Sequence, residues 1–281
     1  MKKYRFAALL AAAVLCVSVL TACSQNSGQT SDPNNTPSQT DTPADLLKQI
    51  QERGEIIVAM EGTWAPWTYH DENDQLVGYD VEVARNIAEK LGVEVNFAEG
   101  EWDGLLAGLD SGRYDIMVNG VDIDEARSEK YDFSTPYAYN RTAVIVSGDN
   151  DSIQSMEDLN GKSTANTLNS TYANVAESYG AEVTGVDDFI QTIELLNSGR
   201  IDATLNAEVS YYDYMAQHPD ANVKIACIDP QSTQVAIPMR KGEESAALVS
   251  AINDALAEMA EDGTLTELSM KYFGMDISKD Q

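Results

Sequence analysis

Two copies of one short unit, 87 residues apart, constrain the fold more than any other feature of the chain. Leu109-Asp-Ser-Gly-Arg-Tyr-Asp-Ile-Met-Val-Asn-Gly120 and Leu196-Asn-Ser-Gly-Arg-Ile-Asp-Ala-Thr-Leu-Asn-Ala207 agree at six of twelve positions. Each copy reads as a helix end, a Ser-Gly-Arg turn, a strand and a terminal Asn. One copy per lobe predicts two α/β lobes of related design. The competing reading is chance agreement between two common helix–turn–strand units, because glycine-bearing turns recur in this class. The surrounding pattern is of the same kind. Glu55–Met60 predicts a buried strand. Tyr79–Leu91 sets Val83, Ala84, Ile87, Ala88 and Leu91 on one helical face, with Gly92 as the stop. Val93–Phe97 is the next expected strand. Such alternation points to an α/β sheet with parallel strands. Ligands of open α/β sheets sit beyond the carboxyl ends of the strands. Asn119-Gly120 and Asn206-Ala207 occupy two such ends, and two ends facing each other make a cleft.

The 281 residues include 46 acidic and 18 basic side chains, giving a net charge of −28, and 43% of them are hydrophobic. This is enough chain for the core of one large or two modest domains. It is also too apolar to be wholly disordered. The acidity argues against nucleic acid as a partner, because phosphate binding needs clustered Lys and Arg. It disfavours docking on an anionic membrane through a basic face as well. Three cysteines cannot build a disulfide-dense scaffold.

The start of the chain reads as an address. Lys2, Lys3 and Arg5 precede an apolar run from Phe6 to about Leu20. That is roughly 15 residues against the ~20 needed to span a bilayer, so it predicts a signal-peptide core. The run ends in Leu20-Thr21-Ala22-Cys23, which resembles a bacterial lipobox. The resemblance implies a leader over residues 1–22 and a diacylated Cys23 that anchors the mature chain to a membrane. An ordinary signal peptide cut nearby, beside a chance cysteine, is the alternative. Residues 24–43 are rich in Ser, Thr, Asn, Gln and Pro and lack large apolar side chains. Residues 23–43 are therefore expected to be a lipid anchor and flexible linker. Cys16 leaves with the leader and Cys23 carries lipid, so Cys227 has no partner within one mature chain and is expected to be a small core residue. Loss of three basic residues with the leader would take the net charge from −28 to −31.

Gly78-Tyr79-Asp80-Val81-Glu82-Val83-Ala84, continued by Ile87-Ala88 and Leu91, resembles the signature of family 3 bacterial solute-binding proteins, the polar amino-acid receptors of ABC importers. Trp102-Asp103-Gly104-Leu105, Arg127, Tyr131-Asp132-Phe133-Ser134-Thr135-Pro136-Tyr137, Lys241-Gly242, Asp262-Gly263-Thr264 and Lys271-Tyr272-Phe273-Gly274 extend the likeness from about Ile50 to Ile277. The resemblance implies a type II periplasmic-binding-protein fold, α/β in class, with two lobes, two hinge strands and a ligand cleft between them. Lobe 1 would comprise 44–140 and 236–281, and lobe 2 would comprise 141–235. The crossings are expected near Tyr139–Ala143 and Thr233–Ile237.

The same resemblance implies site residues. Arg127 matches the arginine that grips the ligand α-carboxylate, and a planar guanidinium suits that role. A surface Arg in a charged helix is the plainer reading. Trp64 and Trp102 match aromatics that enclose the ligand side chain, although core packing is their ordinary use. Glu61 ends the first strand, where an acidic side-chain reader is common; a solvated strand-end acid is the alternative. Gly120 matches a residue whose backbone faces the ligand, and its missing Cβ permits close approach. Ser170 and Thr171 open a helix whose free N–H groups suit a carboxylate, which is compatible with plain N-capping. Asn166 and Asn206 match further cleft positions on the second lobe, and Asn119, at the strand end before Gly120, is expected to bind ligand with them.

Two departures from the family pattern matter. Ala207 stands where an Asp commonly holds the ligand ammonium. Asp122 stands where Ser or Thr is usual. The expectation is that Asp122 supplies the missing carboxylate, with Glu208 in reserve. Otherwise Asp122 caps the helix carrying Arg127 or pairs with Arg127.

Other motifs carry less. His70 and His218 share no metal spacing, and no metal site or cofactor is expected. Asp71-Glu72-Asn73-Asp74-Gln75 has Leu76 where a calcium loop needs Gly, and the twelfth position, Glu82, falls in the expected helix, so the segment predicts an acidic turn. The chain is thus identified as an extracytoplasmic, lipid-anchored amino-acid receptor, monomeric, serving a permease and ATPase. Asn119-Gly120-Val121 and Phe133–Tyr137 look most like cystine-type members. A dehydratase of cyclic acids on the same fold, with Asp122 or Glu208 as acid or base, is the enzyme alternative. A sensor signalling through a partner is a third reading, which fold alone cannot separate.

Overall fold

Hydrophobic alternation and turn chemistry set the elements. The structure, a computed structural model, describes residues 45–280. The expected leader (1–22), Cys16, the lipidated Cys23 and the linker to residue 43 lie outside the described residues. α1 (Leu46–Arg53) is capped by Asp45 and closed by Gly54 in the left-handed region. β1 (Glu55–Met60) has the expected bounds and buries Ile56, Val58 and Met60 fully. The short strands β2 (Thr63–Trp64), β3 (Thr68–His70) and β4 (Leu76–Val77) form a small antiparallel sheet. The acidic turn at Asp71–Gln75 joins the last two, and Asp71 Oδ1 accepts from Asn73 N and Gln75 N.

α2 (Tyr79–Leu91) also has the expected bounds, with Gly92 as its left-handed C-cap. β5 (Glu94–Glu99) starts one residue later than expected and runs two further. Val93 N is committed to the helix end, donating to Ala88 O at 3.0 Å, and pairing with β1 then carries the strand to Glu99. α3 (Trp102–Asp110), β6 (Ile116–Met117), α4 (Glu125–Lys130) and β7 (Tyr131–Phe133) follow. The first sheet is parallel, in the order β5-β1-β6.

β8 (Ala138–Ser147) leads to β9 (Ser163–Asn166), α5 (Thr171–Ser178), β10 (Glu182–Gly185), α6 (Phe189–Asn197), β11 (Ala203–Ala207) and α7 (Glu208–Gln217). β12 (Val223–Val235) then returns to β13 (Pro238–Arg240), α8 (Ala246–Glu261) and α9 (Thr264–Phe273). The second sheet has the order β10-β9-β11-β8-β12. Its parallel part is as expected, but β8 pairs antiparallel with both β11 and β12. β8 arrives directly from the first half without a crossover helix, so parallel geometry is not imposed on it. β8 and β12 form a continuous ribbon from Ala138↔Val235 to Val223↔Ser147, interrupted by two register shifts. Of the expected crossings, 139–143 lies on this ribbon, and 233–237 has its first three residues on it and its last two just beyond β12. α8 packs on α1, α2 and α9, bringing the last helices against the first ones.

The two repeat copies have the same local structure. Gly112 and Gly199 take left-handed φ of 72° and 67°, which closes each helix. Asp115 Oδ2 accepts from Ile57 N at 2.7 Å in the first sheet, and Asp202 Oδ2 accepts from Ser163 N at 2.9 Å in the second. Each Asp thus ties the new strand to the edge of its neighbour. Cys227 is half-buried on β12 beside Met156, rather than fully in the core, and burial pushes its thiol up to about 11.

Candidate functional site

A cavity lies where the strand ends of both sheets converge. It is walled by Glu61, Trp64, Trp102, Gly120 and Asp122 from one side, and by Asn166, Ser170, Thr171 and Asn206 from the other. These are nine of the twelve residues expected to bind ligand. Thr63, Thr167, Tyr172, Asp188, Phe189 and Thr192 also line it.

Glu61 directly follows β1. Asn119 holds it from both ends: Glu61 N donates to Asn119 Oδ1 and Asn119 Nδ2 donates to Glu61 Oε2, each at 2.8 Å. Asn119 is therefore a support behind the wall rather than part of it. Burial pushes the Glu61 carboxyl up to about 7, against the hydrogen bond from Asn119. The negative charges of Glu101 and Asp188 push the same way.

Gly120 lines the cavity, but its N–H is already used, donating to Asp80 Oδ2 at 2.6 Å. A Cβ there would come within 2.5 Å of the Trp64 ring, and its φ is +55°. Its glycine thus serves the approach of Trp64, and Asp80 of the sequence signature is what holds the loop. Trp64 stacks on Trp67 with centroids 5.3 Å apart and meets Tyr172 edge-on at 6.4 Å. Trp64 Nε1 donates to Asn206 Oδ1 at 3.2 Å. That bond joins the end of the second repeat copy to the hairpin after β1.

Asp122 is buried, and its carboxyl accepts from Thr233 Oγ1. Burial raises its pKa, while Thr233, Thr171 and the Arg127 charge work against that rise. It does not cap α4: Asp124 does, accepting from Arg127 N at 2.7 Å. Arg127 stands beside the cavity, off its wall. Its guanidinium donates to Asp122 O at 2.9 Å, Thr171 Oγ1 at 3.0 Å and Asn169 O at 3.2 Å, and lies 5.3 Å over the Trp102 ring. The helix expected at Ser170-Thr171 forms, with Ser170 as its N-cap accepting from Ala173 N.

Glu208 is elsewhere. Its carboxylate takes a two-point bond from Arg141, at 2.7 and 2.9 Å, and does not line the cavity. Ala207 is fully buried and offers no polar side chain. Of the residues not anticipated, Tyr172 adjoins Ser170-Thr171 in sequence. Asp188 and Phe189 open the helix that ends in the second repeat copy, which is the one signal that marked them.

A sequence model of the bacterial extracellular solute-binding proteins, family 3, matches residues 56–275. The L-cystine-binding protein TcyA of Bacillus subtilis is 40% identical over 269 residues, covering 95% of this chain and 96% of that protein. Among solved structures, an ancestral arginine-binding protein bound to arginine is 39% identical with a TM-score of 0.73, covering 79% of this chain and 99% of the other. The L-cystine solute receptor of Neisseria gonorrhoeae in its unliganded open conformation is also 39% identical, covering 84% and 100%, with a TM-score of 0.58. At equal identity the fold superposes better on the ligand-bound structure than on the open one.

Proposed function

The chain belongs to the family 3 bacterial extracellular solute-binding proteins, and from that premise we propose that it captures a polar amino acid, cystine foremost, for an ABC importer. The observation that carries this is the cavity itself, closed over by hydrogen bonds between residues far apart in sequence, Trp64 to Asn206 and Arg127 to Thr171. A ligand that touches both walls favours the closed state over the open one, which is what a delivery protein needs. We take the lobes as 44–140 with 236–281, and 141–235, hinged on the β8–β12 ribbon.

In this reading Arg127 exchanges its bonds to Thr171 and Asn169 for the ligand α-carboxylate. Asp122 receives the α-ammonium that Ala207 cannot hold. Trp64 and Trp102 enclose the side chain. Cys23 carries the lipid that keeps the monomer at the outer face of a membrane, beside its permease and ATPase. The named relatives are binding proteins, which favours capture over turnover.

A thermal-shift screen of the mature chain against the amino acids, cystine included, tests the proposal. A ligand at one hundred times its Kd adds about 2.7 kcal/mol of stability. A rise in Tm with one or a few polar amino acids is expected, and no rise with any of them contradicts it.

A further inference from the structure

We propose that Asp103 and Asn169 form a clasp at the rim of the cleft, one that holds the closed state whichever amino acid lies inside. The inference rests on the solute-binding reading and deepens it, by assigning part of closure to two residues that touch no ligand. Asp103 lies in the first turn of α3, which packs on the first sheet. Asn169 lies between β9 and α5, beside the second. Asn169 Nδ2 donates to Asp103 Oδ1 at 2.9 Å. Neither side chain is on the cavity wall; both line a groove outside it, with Arg127, Lys130 and Tyr131.

The backbone of Asn169 is a second, separate observation. Among the described residues only Asp74 and Asn169 have a positive φ without being glycine, each at 59°. Ser170 N donates to Thr167 O at 3.3 Å, closing a turn in which Asn169 is the third residue. Glycine is the default at a turn position with positive φ, and any other residue holds it at a cost. The Asn169 side chain gives nothing back to its own turn: its hydrogen bond runs across the cleft to Asp103.

Arg127 joins the same cluster. Its Nη2 donates to Asn169 O at 3.2 Å, and its guanidinium lies over the ring of Trp102, the chain neighbour of Asp103. One turn of the second side is thus held by its carbonyl and by its amide. When Arg127 turns to a ligand carboxylate, the carbonyl is released. The Asp103 bond draws on neither Arg127 nor the ligand, so it persists in the loaded state. A bond made only after the walls meet slows opening and leaves encounter unchanged. Asn169 and Asp103 are therefore positioning residues, acting through closure.

The test is stopped-flow tryptophan fluorescence on the full mature chain, with L-cystine and L-arginine as separate probes. The variants are Asn169→Gly, Asp103→Ala and the two combined. Glycine takes the positive φ freely and keeps the carbonyl for Arg127, so Asn169→Gly removes the clasp alone. The dissociation rate is expected to rise about three- to fivefold in each single variant, as suits one hydrogen bond to a carboxylate at an exposed site. The association rate should stay within about twofold of the parent. The double variant should match the singles rather than their product, because both remove the same bond. The factor should be the same for both probes within about twofold, since the clasp does not read the ligand. The urea midpoint of the ligand-free Asn169→Gly chain should not fall, which a merely structural role would require. The clasp is overturned, and the solute-binding reading stands, if a probe binds and leaves Asn169→Gly at less than about twice the parent rate, or if the single effects multiply. A factor that differs severalfold between the probes overturns it as well. Saturable binding of neither probe contradicts both.

Discussion

Trp64 Nε1 and Asn206 Oδ1 meet at 3.2 Å across the cleft, joining the first hairpin to the end of the second repeat copy. The bond is buried on both sides, and it is available only when the two walls are close. Trp64→Phe keeps the stacking on Trp67 and removes the donor. A neutral hydrogen bond contributes ~1 kcal/mol, so ligand affinity should fall about fivefold, with a larger radius of gyration in small-angle scattering. Unchanged affinity and radius would mean that this contact has no part in closure.

Asp80 gives a pH dependence. Burial pushes its carboxyl up to about 7, opposed by hydrogen bonds from Tyr137 Oη and Gly120 N. An unfolded Asp titrates near 3.9. The folded value is the higher one, so the stability linked to this group is full below about pH 4 and is lost as pH rises through about 7. Asp80→Asn abolishes that slope, and its stability relative to the parent should be higher at pH 8 than at pH 5 in urea unfolding. Asp80→Ala strands Gly120 N and Tyr137 Oη together and should cost about 2–3 kcal/mol at either pH.

Much of this architecture was legible in the sequence because it is written locally. The Ser-Gly-Arg turns and the Asp that follows them fix a helix end and a strand edge within a dozen residues, so the copies at Leu109 and Leu196 announced themselves. The signature at Gly78–Asp80 was visible too, but its physical purpose was not, since Asp80 acts on Gly120, forty positions away. The place of Glu208, paired with Arg141 and away from the cavity wall, is hidden for the same reason. Its partner Arg141 lies on β8, and only the packing of α7 on that strand brings them together. Asp188 looks like any helix N-cap until the cavity wall is known.

Glu208 offers a clean separation of structure from binding. Its bidentate pair with Arg141 is buried on the carboxylate side, so Glu208→Ala leaves Arg141 without its partner and should lower stability by about 1–3 kcal/mol. Ligand affinity, by contrast, should change by less than about twofold. Loss of binding at unchanged stability would return Glu208 to the site.

Calorimetric titration of L-cystine into the mature protein and into Asp122→Ala, side by side, bears most directly on the function. Removing this carboxylate should leave the fold intact: burial already opposes its charge, and Thr233 Oγ1 keeps Asn140 O as an acceptor at 3.2 Å. Saturable binding by the parent, with binding lost in Asp122→Ala at unchanged urea midpoint, is the expected result. Equal affinity in both would contradict Asp122 as the partner of the ligand ammonium.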